Sequence, residues 1–107
     1  MSDTLEIQVR RVLHELDQNI VEVNSAHIEN SVGKVSKADF VHLADTIAEL
    51  RAQYLKTVME TARASTAELD EACRQTLARQ REVYREALEG YMELKHALER
   101  GYFRLAD

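Results

Sequence analysis

Proline is absent from this 107-residue chain, glycine occurs three times, tryptophan not at all and cysteine once. Sandwiches and barrels need many glycine- and proline-rich turns, so an all-β fold is excluded. No Gly-x-Gly or Gly-Lys-Ser/Thr pattern occurs, which removes the phosphate-cradling loops. The single thiol, Cys73, cannot form an intrachain disulfide and fits a reducing, cytoplasmic setting. No run approaches the roughly 18 apolar residues of a membrane span, and the first residues lack the basic and apolar segments of a signal peptide. Basic residues are outnumbered, 14 against 19 acidic, for a net charge of −5. Nucleic acid is therefore not an expected partner.

What is abundant is helix-forming material. Ala 13, Glu 13, Leu 12, Arg 10 and Lys 4 make 52 of 107 residues, the composition of long helices or coiled coils. Asp3 with Glu6 resembles a capping box ahead of the series Leu5, Val9, Leu13, Leu16, Ile20, Val23 and His27, which predicts a helix over about 3–30. Gly33 suits a helix end. Ser36 follows as the next N-cap, with Asp39 at N3 and Val35 and Phe40 placed as a hydrophobic staple.

The second helix, about 36–62, carries Phe40, Leu43, Ile47, Leu50 and Tyr54, after which the stripe slips to Leu55, Met59, Ala62, Thr66 and Leu69. Ser65 with Glu68 is a possible further cap, predicting a break and a third helix over about 66–105. The third stripe runs through Leu69, Cys73, Leu77, Tyr84, Leu88, Tyr91, Leu98, Tyr102 and Leu105. The expected fold is thus all-α: one domain, 1–107, holding an antiparallel bundle of three long helices. The alternative is a helical hairpin with helices two and three continuous.

At 1.5 Å per residue those spans measure roughly 42, 40 and 60 Å, so the last helix overhangs by about 20 Å. Its stripe, formed by Tyr84, Tyr91, Leu94, Leu98, Tyr102, Phe103 and Leu105, is the candidate partner-binding surface. Leaving it wet forfeits several kcal/mol at about 25 cal/mol per Å². The expected partners are a second copy of the chain and another protein. Gly90-Tyr91 and Gly101-Tyr102 recur eleven residues apart, about three helical turns.

Chemistry-bearing patterns are sparse. Asp39-x-x-His42 and Glu93-x-x-His96 have the spacing of di-iron bundles, which makes a metal-binding bundle the alternative function. Asp39 already has a capping role, however, and Glu93 lies opposite the tyrosine stripe, so no metal ligand and no cofactor is assigned. Cys73 sits on the apolar stripe as a structural thiol. Arg74, Arg79, Arg81 and Arg85 are interleaved with Glu82, Glu86 and Glu89, the pattern of a mixed-charge solvated face. No nucleophile elbow is present. The expectation is a small, acidic, non-catalytic interaction protein of the adaptor, chaperone or inhibitor type, most simply a homodimer.

Overall fold

A computed structural model describes residues 2–64 and 70–107. The protein is all-helical, with α1 at Ser2–Ser31, α2 at Lys37–Arg63 and α3 at Glu71–Glu99. It divides into two compact units, one of residues 1–36 with 95–107 and the other of residues 37–94.

In the 37–94 unit, α2 and α3 form an antiparallel hairpin. Phe40, in the first turn of α2, meets Tyr91 edge-on with ring centroids 5.9 Å apart, and Tyr54, further along α2, stacks on Tyr84, earlier in α3, at 6.5 Å. Such pairing excludes one continuous helix. The covered positions form one row on each helix, Phe40, Leu43, Ile47, Leu50, Tyr54, Thr57 and Thr61 on α2, and Cys73, Leu77, Gln80, Tyr84, Ala87, Tyr91 and Leu94 on α3, with Val58 and Leu88 half-buried beside them. Both sets alternate steps of three and four, the 3.5-residue repeat of a coiled-coil seam.

The stripe of α2 therefore does not slip after Tyr54. It continues through threonines, whose hydroxyls are satisfied one turn back: Thr57 donates to the Gln53 carbonyl at 3.2 Å and Thr61 to the Thr57 carbonyl at 2.8 Å. Leu55 and Met59, assigned to the stripe from the sequence, are exposed. The start of α3 also differs. Its N-cap is Asp70, whose Oδ1 accepts from the Cys73 amide at 2.9 Å, the N-cap-to-N3 bond. The expected cap at Ser65 with Glu68, and the stripe residues Thr66 and Leu69, lie outside the described residues.

In the other unit, α1 begins at Ser2, one residue before the expected cap. Asp3 lies in the first turn, where a carboxylate complements the helix dipole. The far end closes at Gly33, whose φ of 80° is left-handed and whose amide donates to the Ile28 carbonyl at 3.1 Å. Ser36 immediately precedes α2, with Asp39 three residues on, as the capping pattern requires.

The last helix ends at Glu99 rather than near 105. Gly101 adopts φ 77°, its amide donates to Leu98 at 3.1 Å, and the Tyr102 amide donates to Ala97 at 2.9 Å. That pair of bonds is a Schellman motif with glycine at C′. The chain then turns back, so that Leu105 and Val35 form a single parallel bridge and the Ala106 amide donates to the Val35 carbonyl at 2.8 Å. Val35 is 5% exposed; with Ile47 it makes up the buried apolar set among the described residues.

The three helices hold 30, 27 and 29 residues, close to 45, 40 and 43 Å at about 1.5 Å per residue, so the expected 20 Å length mismatch is absent. The third helix is shorter than expected at both ends, starting at Glu71 and, with the left-handed Gly101 beyond it, stopping at Glu99.

The two recurring Gly-Tyr pairs thus differ in kind. Gly101 has a left-handed φ, whereas Gly90 is helical with open space where a Cβ would stand. Gly101→Ala is expected to destabilise the protein by about 1 kcal/mol or more, and Gly90→Ala to stabilise it by roughly 0.5–1 kcal/mol. Urea unfolding followed by circular dichroism distinguishes the two; equal effects would refute the assignment.

Candidate interaction surface

The residues named from the sequence as a partner-binding stripe fall in both units. Tyr84, Tyr91 and Leu94 belong to the 37–94 unit, and Leu98, Tyr102, Phe103 and Leu105 to the other. Tyr84 is occupied within the hairpin. It stacks on Tyr54, its hydroxyl accepts from Arg51 Nε at 2.8 Å, and the Arg51 guanidinium carbon lies 5.2 Å from its ring centroid. Tyr91 is engaged by Phe40. Leu94, Leu98, Tyr102 and Phe103 are half-buried, and Leu105 is exposed while bridging Val35.

The larger uncovered surface is on α1. Leu5, Val9, Val12, Leu13, Leu16, Ile20 and Val23 are all exposed, from 44% for Ile20 to 61% for Leu5. All but Val12 belong to the stripe, ending at His27, that the sequence assigns to the first helix. The half-buried positions of α1 form a different face, Val21, Asn24, Ser25 and Ile28, towards its C-terminal end. Asn24 contributes there without strain, because its side-chain amide donates to the Ile20 carbonyl at 2.8 Å.

The uncovered stripe extends about 27 Å, eighteen residue steps of about 1.5 Å from Leu5 to Val23. Fully burying a Val, Leu or Ile side chain yields roughly 1.5–3 kcal/mol, so seven half-wet ones leave about 5–10 kcal/mol unrealised. That quantity equals a typical domain's whole stability of about 5–15 kcal/mol. Contiguous apolar surface on this scale marks interaction sites.

Other features carry less. Among the described residues no three His, Cys, Asp or Glu side chains gather as they would around a metal ion. His42 and His96 do not converge with carboxylates into such a group. No helix among them is long and apolar enough to cross a membrane. The folded-back tail borders an open groove of about 690 Å³, lined by Ser25 and Glu29 of α1, Lys34, and Tyr102, Phe103 and Arg104. Compared with family models, curated proteins and solved structures, the chain matches none.

Sequence reasoning passed over Gln80, a polar residue in the seam between Leu77 and Tyr84. Its Oε1 is buried and accepts no hydrogen bond within the described residues. An unsatisfied buried acceptor costs about 1–3 kcal/mol. Gln80→Leu is therefore expected to raise the unfolding free energy by about 1 kcal/mol, measured by urea unfolding; a loss of stability would show that the amide is satisfied.

Proposed function

We propose that the chain is a small, non-catalytic helical interaction protein, of the adaptor or chaperone type, that self-associates through the apolar face of α1. The observation that carries this reading is the row of seven exposed apolar side chains from Leu5 to Val23 on a 30-residue helix. An isolated amphipathic helix gains most of its stability from burying such a face. A second copy supplies a matching face of the same length. A cytoplasmic setting suits the lone thiol of Cys73. Tyr102 and Phe103, half-buried beside the groove, are the surface left for a protein partner.

Sedimentation equilibrium tests the reading. The native chain is expected at twice its 12.3 kDa mass. Leu16→Glu combined with Ile20→Glu places a charge at two central stripe positions of each copy and is expected to return the protein to a single-chain mass. A native protein that remains single-chain throughout the micromolar range refutes the proposal.

A further inference from the structure

Resting on that reading, we propose a specific arrangement: two copies pair their α1 helices antiparallel, centred between His14 and Glu15, with Arg10 of each facing Asp17 of the other. The seam follows from spacing. Val9, Leu13, Leu16, Ile20 and Val23 are separated by four, three, four and three residues, the repeat that keeps one line of side chains facing a partner helix. All five are exposed. Setting Leu13 against the partner's Leu16 brings Val9 against the partner's Ile20 and, by symmetry, the reverse of each.

The flanks decide the direction. Arg10 and Asp17, seven residues apart, line one side of the seam, while Leu5 and Val12, also seven apart, line the other. All four are exposed. In an antiparallel pair each flank meets its own counterpart, so Arg10 faces the partner's Asp17 and Asp17 faces the partner's Arg10. This is the reciprocal pattern that a two-fold interface requires, in which residue i meets j and j meets i. On the other flank Val12 comes beside the partner's Asn19, with no charge opposed.

In a parallel pair each flank meets the opposite one. Leu5 and Val12 would then lie beside Arg10 and Asp17 of the partner, no ion pair would form, and Glu6, which lies on the seam line, would oppose its own copy. Charge complementarity thus selects the antiparallel register. Like charges placed opposite each other are a recognised device for rejecting wrong pairings.

Spin-label distances in the full chain test the register, with Cys73→Ser as background and a single label at Thr4 or at His14, both exposed. Antiparallel pairing offsets the two Thr4 positions by about 31 Å along the axis and the two His14 positions by about 1.5 Å, at 1.5 Å per residue. A long Thr4 distance with a short His14 distance supports the proposal. Short distances at both sites in a particle of dimeric mass overturn the register while leaving self-association intact, and a single-chain mass overturns both.

Charge exchange provides a second readout that introduces no label. Arg10→Asp turns both cross-pairs into repulsions and is expected to weaken dimerisation roughly tenfold. Adding Asp17→Arg restores opposite charges and should recover most of the loss. A double variant as weak as the single one counts against the pairing.

Discussion

An apolar helix face must be covered, and in this protein only part of the apolar helix surface is buried. The α2–α3 hairpin meets the requirement internally: two 3.5-residue stripes close on each other, and aromatic contacts at Phe40–Tyr91 and Tyr54–Tyr84 set them antiparallel. Helix α1 does not. Val21 and Ile28 are half-buried, whereas the stripe from Leu5 to Val23 is exposed. The proposed function follows from this imbalance rather than from any set of reactive groups.

The folded-back tail shows how the α1 unit is secured. Gly101 reverses the chain after α3, and Leu105 and Ala106 bond alongside Val35, the most deeply covered residue of that unit. Residues 102–106 therefore act as a clasp on the link between α1 and α2. Had the helix continued to 105, Val35 would lack this partner and the tail would project as the overhang that the sequence suggests.

Much of the architecture was readable in advance because its signals are local. Gly33 and the Ser36–Asp39 pattern mark a helix end and a helix start through backbone and cap preferences that need no tertiary knowledge. The aromatic stripe of α3 was recognisable by spacing. The failures have a common cause, the replacement of a polar group's lost water by hydrogen bonds that a sequence does not display. Thr57 and Thr61 occupy seam positions because their hydroxyls bond back to the helix, so an apolar-only reading shifted the stripe to Leu55 and Met59. Gly101 occurs in a near-repeat of Gly90, yet of the two only Gly101 has a left-handed φ. Periodicity likewise identifies an apolar face without saying whether anything covers it. The exposed stripe of α1 and the covered seam of α3 look alike in one dimension.

Amide hydrogen exchange of α1 as a function of protein concentration addresses the central claim most directly, because it asks what shelters the stripe. If a second copy does, protection across residues 9–23 falls as the protein is diluted through the association range, while protection in the α2–α3 hairpin is unchanged. Strong protection of those residues that is independent of concentration would contradict the account and show that the face is covered from within a single chain.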